Sequence, residues 1–261
     1  MRIKQVIIII YLLIPTIAFA YPIGNVVSFT GQIWIKRNGK VFIPSIGTAI
    51  LRNDTALTGT DGRMRILFVD NSVINIGSNS EINMAHYEST PSKRNVLLSM
   101  IKGKVRFFIS KVTNIFNTYD IHTITAIIGI RGTNFIVDAS HGMTGLYVIG
   151  GIVSFRNTRQ PPSYAVEVTR GMMSFVRVGS LPSAPMKYTN AVIQQLINDT
   201  TVPFSDNYTS GYNSIMQYQP AAMNQPSKKS YGIPNALQQP QPENTAPVNV
   251  NIGANYGNVT R

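Results

Sequence analysis

Cationic side chains outnumber acidic ones in this chain by 23 to 11, and several recur at a spacing of two. Lys102, Lys104 and Arg106 form one such series, and Arg63 and Arg65 form a shorter one. In an extended strand, side chains two apart point the same way. Each series is therefore expected to present a row of positive charge, and if the two strands are neighbours, all five cations share one face. Such a face suits an anionic polymer or headgroup, with contacts that weaken in salt. Aromatic residues are not interleaved with these cations, which argues against a nucleic-acid platform.

Other reactive constellations are missing. The chain has no cysteine, which excludes disulfides, thiol nucleophiles and cysteine zinc sites. No Gly-x-Ser-x-Gly elbow, His-Glu-x-x-His helix, phosphate loop or dinucleotide fingerprint occurs. The three histidines, His86, His122 and His141, lie far apart in sequence, and they read as surface or core residues rather than metal ligands. Asp54, Asp61 and Asp70 sit in turn-like stretches, where a carboxylate bonds local backbone. No catalytic, cofactor or metal site is expected; a glycan-active enzyme with an unfamiliar pair of carboxylates is the least favoured reading.

The elements that position the cations are strands. Met64, Ile66 and Phe68, Ile74 and Ile76, and Ile82 and Met84 each alternate with other residues, the period of a sheet with one buried face. Ile101, Val105, Phe107 and Ile109 are expected on one face of a single strand. Ile121 to Ile130 reads as a buried strand pair. A short pattern of glycine, any residue, apolar, any residue, apolar recurs at Gly31, Gly103, Gly151 and Gly171 without a fixed period, so a regular solenoid is not expected. Asp61-Gly62 and Asp70-Asn71 read as turns of two successive hairpins. The fold class is all-β: a compact sandwich or irregular β-roll of short strands.

The chain of 261 residues divides into three by composition. Residues 1–20 read as a signal peptide. Arg2 and Lys4 precede the apolar run Val6 to Ile14, Pro15 breaks it, and Ala18-Phe19-Ala20 predicts cleavage after Ala20. No later stretch is long and apolar enough to span a bilayer, for which about 20 residues are needed. Residues 21–180 form the β domain and carry a net charge of +9 of the chain's +12. Residues 181–261 are rich in Pro, Asn and Gln, with one helical patch at Asn190 to Asn198, and are expected to be largely disordered.

Three motifs carry a family resemblance. The first runs from Gly47 through Asn53-Asp54 and Thr58-Gly59-Thr60-Asp61-Gly62-Arg63 into Ile66-Leu67-Phe68-Val69. The second is Asp70-Asn71-Ser72 before Ile74-Asn75-Ile76-Gly77, with Asn79, Ser80 and Ile82. The third is Gly129-Ile130-Arg131-Gly132-Thr133-Asn134-Phe135-Ile136-Val137. From about Asn25 to Phe155 the chain resembles the FecR domain of periplasmic signalling proteins. Asn53 and Asn71 stand where that pattern usually has glycine, and both can keep the turn.

Within the third motif, Gly132 is expected to permit a bulge or a close approach, and Arg131 to be a half-buried brace. The resemblance implies an envelope binding or signalling module. FecR-type regulators carry a cytoplasmic anti-sigma segment, whereas only Met1 to Gln5 precede the apolar run here, so a free-standing domain, periplasmic or secreted, is expected. It would engage another envelope protein or an anionic polymer. The alternative is a secreted matrix protein whose tail drives assembly.

Overall fold

The computed structural model describes residues 21–90, 92–111 and 117–203. Residues 1–20, where a signal peptide is expected, and residues 204–261 of the Pro/Asn/Gln-rich stretch lie outside them. Two sheets face each other and share one long strand. Sheet A runs in the spatial order β4 (Ala49–Ile50), β1 (Gly24–Thr30), β6 (Arg63–Phe68), β7 (Val73–Ile76), the C-terminal part of β9 (Arg94–Phe108), β12 (Asn134–Ser140), β13 (Met143–Gly150), β16 (Met172–Arg177) and β17 (Met186–Lys187). Sheet B runs β3 (Lys40–Phe42), β2 (Ile33–Arg37), β5 (Thr55–Thr58), β8 (Glu81–Ser89), the N-terminal part of β9, β10 (Thr118–His122), β11 (Ala126–Ile130), β14 (Ile152–Asn157) and β15 (Val166–Thr169). All pairings are antiparallel except that of β9 with β10.

The inward-facing apolar residues of both sheets form one core, in which Phe68 of β6 stacks on Tyr87 of β8 across the gap, ring centroids 5.1 Å apart. Within sheet A, Phe107 stacks on Phe135 at the same separation. The alternation of Met64, Ile66 and Phe68 places all three in this core, as it does Ile74, Ile76, Ile82 and Met84. Burial of this kind contributes roughly 25 cal/mol for each Å² of apolar surface removed from water, and a chain without disulfides depends on it.

β9 departs from the expected single face. Val96, Leu98 and Met100 are buried in its first part, and Val105 and Phe107 in its second, so the parity of burial changes between them. The change occurs at Gly103, whose backbone has φ +101° and whose α-carbon lies against Ser80. An L side chain rarely adopts that conformation, and none fits there. The strand thereby passes from sheet B into sheet A, and Ile101 is turned out to solvent rather than aligned with Val105 and Phe107. The other glycines of the recurring pattern, Gly31, Gly151 and Gly171, stand at crossings of the same kind: β1 to β2, β13 to β14 and β15 to β16. The motif marks where the chain changes sheets.

Asp70-Asn71 closes a hairpin between β6 and β7, with Asn71 at φ +62°. Asp61-Gly62 does not close one. β5 belongs to sheet B and β6 to sheet A, so this turn is another crossing. Gly62 is needed there for space: a Cβ would collide with the Gln32 carbonyl oxygen. Gly59 donates its N–H to that carbonyl at 2.8 Å, and Asp61 Oδ1 accepts the Gln32 N–H at 3.2 Å, which ties two crossings together.

The helix α1 (Asn190–Thr200) begins at Thr189, whose hydroxyl accepts the Val192 N–H. It lies on the outer face of sheet A, where Ile193 and Leu196 join Ile136 and Tyr147 in a second, smaller core. No helix among the described residues is long and apolar enough to cross a membrane.

Candidate functional site

The cations singled out by their spacing lie on or beside the outer face of sheet A, around the C-terminal end of α1. β7 stands between β6 and β9, so Arg65 is opposite Asn75, and Asn75 is opposite Arg106. Lys104 Nζ is 2.7 Å from Asp199 Oδ2, Arg63 Nε donates to the Asp199 carbonyl at 3.2 Å, and an Arg65 Nη donates to the Val202 carbonyl at 3.1 Å. Arg65 Nε also donates to Asn75 Oδ1 at 2.8 Å. The carbonyls at the end of a helix are unsatisfied and carry partial negative charge, so cations are favoured beside them.

Arg106 packs over the Phe108 ring, 4.4 Å from its centroid, and donates to Asn134 Oδ1 at 3.3 Å. Burial, followed by repulsion from Arg65, draws its guanidinium below the ordinary arginine value. The Lys102 side chain is exposed and makes no hydrogen bond or ion pair among the described residues. Four of the five cations thus have partners within the chain, and one remains open.

The residues that carry the family pattern are structural in their geometry. Gly132, at φ +70°, lies against the Lys111 backbone and allows the passage from β11 in sheet B to β12 in sheet A. Thr133 is buried, and its carbonyl accepts the Ile109 N–H at 2.9 Å. Phe135 fills the core. Arg131 is exposed, contrary to the expectation of a half-buried brace, because it sits in the turn before β12 rather than within a strand.

The bracing role falls to two other arginines. Arg94 is nearly buried, pairs with Asp70 at 2.9 Å, donates to Ser110 through Nη1 and Nη2, and stacks over the Tyr119 ring. Asp70 in turn accepts from the Ser72 N–H and hydroxyl. Burial, and then the negative charge of Asp70, push the Tyr87 and Tyr119 hydroxyls far above the ordinary tyrosine value. Arg37 meets Asp54 through two nitrogens at 2.8 and 2.6 Å, and this pairing raises the guanidinium's pKa. The parity of Arg94 with Val96, Leu98 and Met100 is a sequence signal that would have placed it on the apolar face.

The outer face of sheet B is different. Lys36, Thr55, Asn83, Ser99, His122, Ile127 and Arg156 form one row across it. Asp120, on the same face, is raised by burial against the opposing pull of His122 and Arg156. His122 is lowered by burial, against the opposing effect of Asp120. Among the described residues no three metal-ligating side chains converge.

The fold and its polar groups can be set beside known proteins. No curated protein matches this chain. Two crystal structures of a candidate anti-sigma factor from Parabacteroides distasonis ATCC 8503 align with it at 13% identity and a TM-score of 0.43, over 53% and 54% of this chain and 61% and 62% of theirs. The chain therefore spans about three fifths of the length of those structures. Residues 54–154 match the family model described as FecR protein, and this chain carries a FecR domain.

Proposed function

We propose that this protein is a non-catalytic binding and signalling module of the bacterial envelope, exported by residues 1–20, whose FecR domain engages another envelope protein. One observation carries the reading: the buried Arg94–Asp70 pair, within the segment that matches the FecR family, and the Arg37–Asp54 pair at its edge serve as braces, while the outer face of sheet B has no element of the described chain packed over it. That face mixes charges of both signs with small hydroxyl side chains and a few apolar ones, the composition of a polar recognition surface. An anionic polymer is a weaker fit for the basic stripe than a protein is for sheet B, because Arg63, Arg65 and Lys104 already meet the end of α1.

The test is capture from crosslinked envelopes. Ser99 and Ser154 are small, and both point outward from sheet B. Ser99→Arg and Ser154→Arg should abolish recovery of a partner that the unmodified protein recovers, with thermal unfolding unchanged. Recovery of the same partner by both variants would overturn this choice of surface.

A further inference from the structure

We infer that the tip of the β10–β11 hairpin, together with Lys102, is an anchor for an anionic lipid surface. The tip is Thr123-Ile124-Thr125, and its backbone is held by a dense set of bonds. Thr123 N–H donates to the Ala126 carbonyl at 2.8 Å, and Thr123 Oγ1 accepts the N–H groups of Ala126 and Thr125 at 2.8 and 3.2 Å. The Thr123 and Thr125 hydroxyls both meet the Thr144 hydroxyl of β13, at 2.7 and 2.6 Å. Thr158 N–H donates to the Thr125 carbonyl at 3.1 Å, and the Thr158 hydroxyl to the Ile124 carbonyl at 3.3 Å. Thr123, Thr125 and Thr144 are all buried. What this fixed turn presents outward is a single side chain, Ile124, which is 70% exposed.

The surroundings of Ile124 are amphiphilic. A hollow of about 180 Å³ is lined by Ile124, Ile101, Met143, Lys102 and His141. It borders a larger cleft of about 720 Å³, which shares Lys102 and His141 and adds Arg63 and Lys104. Asp138 and Asp199 also line that cleft, but Asp199 is held by Lys104. Lys102 faces Glu81 across the strands without forming an ion pair and is open to a ligand. Arg159, exposed, follows the Thr158 that braces the tip.

A rigid apolar apex costs little ordering entropy on insertion, and the exposed Lys102 and Arg159, rather than the Arg63 and Lys104 held by Asp199, draw it to negatively charged headgroups. The parity change at Gly103 is what sets Ile101 and Lys102 at this end of the sandwich. This inference does not depend on a protein partner, and the two can fail separately.

Residues 21–261, which contain the whole described fold, should be sedimented with vesicles of phosphatidylcholine mixed with phosphatidylglycerol, and with phosphatidylcholine alone. Partition is expected only with the mixed vesicles, and it should fall steeply with added salt. Ile124→Asp and Lys102→Glu should each lower it about tenfold, the loss of roughly one favourable headgroup contact or one inserted side chain. Because Ile124 is exposed, its variants should melt like the parent protein, and Ile124→Trp should show indole emission shifted to the blue on mixed vesicles only. Equal sedimentation by the parent protein and Ile124→Asp would overturn the proposal. So would displacement by soluble glycerol phosphate with no dependence on residue 124, which would mark a small-anion cleft instead.

Discussion

The outer faces of the two sheets begin from the same kind of sequence, polar residues alternating with apolar ones, and end differently. On sheet A, α1 closes the surface: apolar residues of the helix cover Ile136 and Tyr147, the Asp199 carbonyl in its last turn takes up Arg63, and the Val202 carbonyl just beyond it takes up Arg65. On sheet B the outward row from Lys36 to Arg156 has no such cover among the described residues. The difference teaches that charge on a strand does not by itself mark a binding surface. A basic stripe can be one half of an intramolecular contact, and the more ordinary-looking face is then the one available to a partner.

The interior that both faces share should be the most sensitive region. Asp70→Ala leaves the Arg94 guanidinium buried without its counter-charge, and should lower stability by about 3–5 kcal/mol in urea unfolding. Next in size is the cover on sheet A. Leu196→Ala should cost about 2–4 kcal/mol and loosen α1, read as faster hydrogen exchange in the helix and in β12. A double-mutant cycle on Lys104 and Asp199 should give a smaller coupling, about 0.5–1 kcal/mol, because both side chains are 34% exposed.

Sheet B should respond least in stability. Ser154→Arg is expected to change it by no more than about 0.5 kcal/mol. Its pH response is distinctive all the same. Burial holds His122 below the ordinary histidine value near 6.5, so as pH falls through that value the unfolded chain takes up the proton first. His122 therefore contributes a loss of stability with acidification below about 6.5, and His122→Gln should flatten that part of the pH profile. A steeper profile in the variant would contradict this assignment.

Much of the fold was legible from the period of two, which places Met64, Ile66, Phe68, Ile74 and Ile76 in the core. The hairpin at Asp70-Asn71 was legible from its turn residues. The crossing at Asp61-Gly62 was not, because turn chemistry is local and the sheet a strand joins is decided by partners far along the chain. The same limit applied to the basic stripe. Lys104 meets a residue 95 positions away, and Arg65 one 137 positions away, in a stretch whose composition suggested little order. Arg131 is exposed despite its apolar surroundings in sequence because Ile130 and Phe135 belong to different sheets, with the residue itself at the corner between them.

Paired photocrosslinking probes test the contrast between the faces most directly. One probe replaces Ser154 on sheet B, and the other replaces Val192, the exposed outer position of α1. Irradiated in intact cells, the Ser154 probe should yield one discrete adduct with an envelope protein, and the Val192 probe none. An adduct from Val192 alone would place recognition on the helix-covered side and contradict the account.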